Sequence, residues 1–326
     1  MFCTDQLNKL NKDLIFKKIM WTQYKLKKSF QTLITFHLKK LISIDKKISN
    51  KYIFVPSARY AIVNILNCFN FDKSSKVAVG PFSNQCIYNS VGYVSTPIPS
   101  NLKLKFDAQL VYHMFGYNYK SNLKTFTIED SADTFIFNEK KLFLNNGHFE
   151  IISLPKVTNF CFGSIIYCRT IDNKNKLNNF LEEKKDNRFN LQFYLMMIGD
   201  KTFDFRKKLN HYEKKLPLNI SEFLKYIYFK SLNFEKDIKR KIDIIHNHID
   251  DKPQLLEGRY PSSVSIKVSK NMSDKLLINF PFLYSRTINQ TFNFTEWDLK
   301  KKIFLPINQD ISISKIIELK NYLNKN

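Results

Sequence analysis

Four short apolar runs in the first half of the chain each stop at a residue that carries chemistry. Residues 52–55 run into Pro56 and Ser57, residues 109–112 into His113, and residues 124–128 into Glu129 and Asp130. A fourth run, through Ile151 and Ile152, ends in Ser153-Leu154-Pro155-Lys156. Runs of this length, separated by short helical stretches and loops, predict an α/β fold built on a mostly parallel sheet. In such sheets ligands bind beyond the carboxyl ends of the strands. Ser57, His113, Asp130 and Lys156 therefore share one candidate edge. The pattern excludes an all-helical bundle and limits the places where a site can form.

The remaining elements are read along the chain. Residues 5–48 carry leucine and isoleucine at helical spacing with lysines between, which predicts a basic amphipathic helix that packs on its own domain, on a partner or on a membrane surface. Ser57 is placed to cap a helix through Cys68. Short strands are expected at 77–79, 93–97 and 165–168, and a helix at 84–92. Charged helices are expected at 174–185, 191–212 and 220–247. After Pro253, strands are expected at 262–268, 275–279 and 302–305, then a closing helix over 311–323 capped by Asp310. The domain reading is a helical segment at 1–50, a large α/β domain at 51–170, linking helices at 171–250 and a smaller α+β domain at 251–326.

Charge narrows the partners. With 52 Lys+Arg against 29 Asp+Glu, the formal net charge is +23. That balance favours acidic small molecules such as nucleotides and phosphates, or an anionic surface. The lysines are dispersed and no arginine-rich tract or nucleic-acid motif occurs, so nucleic acid is not an expected partner. Five scattered cysteines form no metal or CxxC spacing and point to a reducing compartment. No apolar run reaches the length of a membrane span and no signal-peptide core is visible, so the expected location is the cytoplasm, with peripheral membrane contact open. His246-Asn247-His248 has no accompanying ligand pattern and reads as surface, so no metal is expected.

Lysine at a strand end is most often a solvated residue. It acquires a reaction when it can lose its proton and attack a carbonyl. Burial behind Ile151, Ile152 and Leu154 would favour that loss. Should the carbonyl belong to pyridoxal phosphate, the site also needs a carboxylate for the pyridine nitrogen and a cup of N–H and hydroxyl donors for the phosphate. Asp130 suits the first role, and Ser57, Arg59 and Ser153 suit the second. The bland alternatives are a loop carboxylate for Asp130, a simple helix cap for Ser57 and a hydrogen-bonded core residue for His113.

Taken together, these segments resemble the DegT/DnrJ/StrS sugar aminotransferases, pyridoxal-phosphate enzymes of fold type I, and most closely a branch whose lysine motif reads S-L-R-K. The likeness rests on Ser153-Leu154-Pro155-Lys156, on Val55-Pro56-Ser57-Ala58-Arg59-Tyr60-Ala61, on Tyr112-His113-Met114-Phe115-Gly116, on Thr127-Ile128-Glu129-Asp130-Ser131-Ala132 and on Phe304-Leu305-Pro306-Ile307-Asn308-Gln309, which stand in the family's order. The resemblance implies that Lys156 carries the cofactor covalently and shuttles protons, and that Asp130 pairs with the ring nitrogen. It also implies that Ser57, Ala58, Arg59 and Ser153 contact the phosphate. Asp133 stands where the family usually has Gln or His facing the cofactor ring, and a second carboxylate there would repel Asp130 or require a proton. His113 is a candidate substrate contact. The family transfers an amino group, usually from glutamate, to a nucleotide-linked keto sugar, and works as a homodimer. The expected function is that transfer in surface polysaccharide or glycan biosynthesis. The alternative is an inactive relative that binds a nucleotide sugar or a partner protein.

Overall fold

The computed structural model describes residues 51–80, 83–102, 104–116, 118–121, 124–157, 163–184, 234–250, 256–286, 302–307 and 311–325. The helices expected at 5–48 and 191–212, the first part of that expected at 220–247, and the cap Asp310 lie outside the described residues.

A seven-stranded sheet organises the first half of the chain, with strand order β1-β8-β7-β5-β4-β2-β3. Its members are β1 (Tyr52–Val55), β2 (Lys76–Val79), β3 (Thr96–Pro99), β4 (Ala108–Tyr112), β5 (Phe126–Asp130), β7 (Phe149–Ser153) and β8 (Ser164–Cys168). Strands β3, β2, β4, β5 and β7 pair in parallel, and β8 lies antiparallel between β7 and β1. Because β1 and β7 both oppose β8, they run in one direction, and β1, β4, β5 and β7 all end on one edge. This is the mostly parallel α/β sheet expected.

Period-two alternation divides the strand residues between two cores. Ile53 and Val55, Phe149 and Ile151, Ile166 and Cys168 face one core, with α1 (Ala58–Cys68), α2 (Gln85–Val94) and α4 (Ile171–Glu182) over it. Phe54, Ile152, Ile165 and Tyr167 face the other, under Ile238, Ile242 and Ile245 of α5 (Glu235–Ile245). A sheet covered on both faces needs near-continuous apolar strands, which is why Ile151-Ile152 and Ile165-Ile166 stand side by side in sequence.

The C-terminal part carries β9 (Arg259–Pro261), β10 (Ser263–Ile266), α6 (Lys270–Asn279), β11 (Tyr284–Arg286), β12 (Lys302–Pro306) and α7 (Ile313–Lys325). Strands β10, β12 and β11 form an antiparallel sheet. Several expectations are corrected here. The strand expected at 275–279 is the end of helix α6. Its Leu276-Leu277-Ile278 run is too short for periodicity to separate strand from helix, and only Leu276 is fully buried. The strand expected at 93–97 begins at Thr96, because α2 continues through Val94; Pro97 and Pro99 are tolerated on β3 because it is the sheet's edge. The strand expected at 262–268 is two strands. Ser262 breaks it by donating its N–H to the Asp133 carbonyl (2.8 Å), which lets β9 pair with β6 (Thr134–Ile136) while β10 pairs with β12.

A buried ion pair fastens β9 to the main sheet. Arg259 donates from Nη1 to Glu150 Oε1 (2.7 Å) and from Nη2 to Ser131 Oγ (2.9 Å), with further bonds to Asn118 Oδ1 and the Lys141 carbonyl. Both charged side chains are fully buried. Close packing continues at Gly116, whose φ is +85° and where a Cβ would lie 2.3 Å from Pro261 Cα. Removing one charge leaves the other uncompensated, so Arg259→Met should cost about 3–5 kcal/mol in urea unfolding. Pairing it with Glu150→Leu should cost less than the two single changes together.

Candidate active site

Strand register brings the candidate residues together. Across β8, Val55 pairs with Ser164, and Ser164 pairs with Ser153. The ends of β1 and β7 are therefore level. Two backbone bonds tie the turns beyond them: Gly163 donates to the Pro56 carbonyl (2.7 Å), and Leu154 donates to the Gly163 carbonyl (3.0 Å). The turn that leads into Ser57, Ala58 and Arg59 is therefore held next to the turn that follows Ser153.

Ser57 occupies the N-cap of α1 in extended conformation, and its Oγ accepts from Tyr60 N–H (3.1 Å). The expected cap is thus present, and the first N–H groups of α1 have no carbonyl partner within the helix. An eleven-residue helix beginning at this edge favours an anion in front of it. Ser57→Ala should cost about 1 kcal/mol in thermal unfolding through loss of the cap. It should also weaken capture of pyridoxal phosphate more than capture of pyridoxal, in parallel spectral titrations.

Lys156 sits in a single helical turn, α3 (Leu154–Val157), directly after β7. Leu154 and Val157 are buried while the lysine faces outward, its side chain 41% exposed. Its Nζ pairs with Asp133 Oδ1 at 2.8 Å, and the Asp133 side chain is only 7% exposed. Asp133 Oδ2 also accepts a short hydrogen bond from the Tyr112 hydroxyl. Burial draws the Lys156 ammonium toward losing its proton, but Asp133 and Asp130 outweigh it and hold the proton more firmly than usual. Burial thus acts in the expected direction, but it does not prevail. Burial is the largest single influence on the amine, but the two carboxylates that face it together exceed it.

Asp130 ends β5, fully buried, one position across from Tyr112 on β4. Its Oδ1 accepts from Ala132 N–H (3.0 Å), whereas Oδ2 is buried with no hydrogen-bond partner. Burial, reinforced by Asp133 and opposed by Lys156, pushes its carboxyl up to about 6. A buried carboxylate oxygen left without a donor calls for one, since an unpaired buried polar atom is costly. A protonated ring nitrogen is a donor of the right charge. The residues present fit pyridoxal phosphate on this count.

His113 is fully buried. Its Nε2 lies 2.9 Å from Glu129 Oε2, and its Nδ1 accepts from Tyr119 N–H (3.1 Å), so both ring nitrogens are engaged inside the protein. Glu129 also accepts from Asn145 N–H (3.0 Å) and Gly147 N–H (2.9 Å). Burial raises its carboxyl, but His113 and these amides prevail and hold it below the usual range. The pair secures the ends of β4 and β5, and this geometry points His113 at Glu129 rather than at a ligand.

Sequence reasoning missed Tyr112, Glu150 and Arg259. Tyr112 stands beside His113 in a quoted motif, but its place opposite Asp130 follows from strand register. The 109-residue separation of Glu150 from Arg259 left no local signal.

Comparison with known proteins bears on the family and the fold. Residues 44–326 match the family model described as "Putative PLP-dependent aminotransferase". Among solved structures, the aminotransferase TlmJ from Streptoalloteichus hindustanus superposes with a TM-score of 0.56 at 12% identity, covering 85% of each chain. A DegT DnrJ EryC1 StrS aminotransferase from Brucella abortus gives 0.54 at 13% identity, over 93% of this chain and 96% of its own. DesV from S. venezuelae, solved with a ketimine intermediate, gives 0.55 at 12% identity over 84% of each chain. At these identities the likeness is one of fold. A curated relative, the tRNA uridine 5-carboxymethylaminomethyl modification enzyme MnmG of Carsonella ruddii, is 31% identical over 245 residues, which cover 69% of this chain and 44% of that enzyme. This chain thus spans less than half of that relative's length. No helix among the described residues is long and apolar enough to cross a membrane. With the family match extending over most of its length, the chain belongs to a family of pyridoxal-phosphate-dependent aminotransferases and has the fold of the DegT/DnrJ/EryC1/StrS enzymes.

Proposed function

We propose that this aminotransferase moves an amino group from glutamate to a nucleotide-linked keto sugar, in a pathway that builds surface polysaccharide or other glycans. The supporting observation is the convergence of Lys156 and the half-satisfied Asp130 at one sheet edge, beside the helix N-terminus at Ser57. The sugar substrate is supported by the sugar aminotransferase fold, and an anionic nucleotide carrier by the net charge of +23.

Pyridoxal phosphate, when bound, supplies an aldehyde that captures amines and a ring that withdraws electrons from the substrate carbon. The chain's residues divide the remaining work. Ser57, Ala58, Arg59 and Ser153 would hold the phosphate through N–H, hydroxyl and guanidinium donors. Asp130, whose Oδ2 is buried without a partner, would hold the ring nitrogen in its protonated form. Lys156 would be the amine that holds the aldehyde and the group that moves the proton at its Nζ. The enzyme acts as a homodimer in the cytoplasm on this reading.

Purified protein given glutamate and a panel of nucleotide-linked keto sugars should produce 2-oxoglutarate and an amino sugar in equal amounts, followed by mass spectrometry. Formation of 2-oxoglutarate with free keto sugars alone would sink the nucleotide-linked part of the reading.

A further inference from the structure

The Lys156 environment differs from a simple desolvated amine. Two carboxylates, Asp130 and Asp133, face one ammonium. Asp133 is the nearer, at 2.8 Å, and is itself buried and tied through its other oxygen to the Tyr112 hydroxyl. Its backbone is pinned as well, since its carbonyl accepts from Ser262 N–H (2.8 Å) and the next residue, Thr134, enters β6 against β9. A carboxylate fixed at both ends cannot swing away when the lysine nitrogen changes its bonding. We propose that Asp133 is the permanent counter-ion of the Lys156 nitrogen, before and after that nitrogen bonds to a carbonyl carbon, and so sets the pH range in which Lys156 is a free amine. This deepens the aminotransferase reading by assigning Asp133 to the lysine rather than to the cofactor ring.

The chemistry is consistent. Condensation forms a carbon–nitrogen double bond, breaks the carbonyl bond and releases one water. Two of the three ammonium hydrogens leave in that water, and one stays on a nitrogen that remains cationic. A carboxylate beside it stabilises the cation in both states. Asp130 is left to balance the protonated ring nitrogen, so two carboxylates meet two cations. Among the described residues, the titratable groups acting on Lys156 are Asp133, Asp130 on β5 and Cys86 on α2. Those on Asp133 include Lys156, Asp130 and Tyr112 on β4. Removing the Asp133 charge subtracts the largest of the contributions that hold the Lys156 proton.

The first test needs no cofactor. Apo-protein is treated with formaldehyde and cyanoborohydride at pH 8, and methylation of Lys156 is followed by mass spectrometry against exposed Lys76. Asp133→Asn should methylate Lys156 at least about tenfold faster, because each pH unit by which the amine titrates lower multiplies its free fraction tenfold. Tyr112→Phe should give a smaller change of the same sign, with melting temperatures monitoring the fold. The second test adds pyridoxal phosphate. The visible band of the cofactor bonded to Lys156 should titrate at lower pH in Asp133→Asn than in wild type. An unchanged or slower methylation of Lys156 in Asp133→Asn overturns the proposal, as does a band that titrates at the same or higher pH. Faster methylation with no band in any variant would instead count against cofactor capture, and hence against the aminotransferase reading, while the counter-ion assignment stood.

Discussion

Asp130→Asn should make the cofactor-free protein more stable at neutral pH while removing most of its activity. In the folded chain the Asp130 carboxyl titrates at about 6 instead of 3.8, because burial and Asp133 disfavour its charge. Between those values the native state holds a proton that the unfolded chain has released. Stability contributed by this group is therefore fully present below pH 3.8 and is lost as pH rises through about 6. The total is about 3 kcal/mol. The D130N variant has no such proton to lose, so at pH 7.5 it should exceed wild type by up to about 3 kcal/mol in urea unfolding. The difference should vanish near pH 4. With cofactor bound, the wild-type cost is relieved by the ring cation, and the order of stability should reverse. Turnover of D130N should fall about 10²–10³-fold, the usual consequence of removing a preorganised electrostatic partner. A variant less stable than wild type at both pH values would mean that Asp130 is satisfied in the free protein.

Lys156→Ala should give the larger kinetic loss, at least about 10³-fold in kcat, since on the proposed function it removes the nucleophile and the proton carrier together. The fold should persist, because the 41%-exposed Lys156 side chain leaves no core cavity, but the melting temperature should fall as the buried Asp133 loses its counter-ion. Lys156→Arg is the informative companion. It preserves a cation for Asp133 but cannot release a proton, so it should retain the melting temperature and still lose turnover.

The sheet was legible because its strands are buried on both faces and end in polar punctuation. Ile151-Ile152 before Ser153, and Val111-Tyr112 before His113, gave strand ends within a residue or two. The candidate edge followed, because ligands gather where parallel strands stop. Three features were not legible. Leu276-Leu277-Ile278 carries no period long enough to distinguish a helix from a strand. Ser262 looked like part of one strand, since only tertiary contact with Asp133 divides it. The Asp133–Lys156 pair and the Tyr112 hydroxyl bond depend on the path of the turn after β5, which local sequence does not encode. Nor did the sequence show that two carboxylates would face Lys156. Burial favours loss of its proton, but Asp133 and Asp130 together outweigh it.

The central claim, that Lys156 is the residue that takes the cofactor, is tested most directly by reductive trapping. Purified wild-type protein is incubated with pyridoxal phosphate, reduced with borohydride, digested and sequenced by mass spectrometry. A stoichiometric phosphopyridoxyl group on Lys156, absent from Lys156→Ala, is the predicted result. Label distributed over surface lysines, or the same label and spectrum in Lys156→Ala, would contradict it.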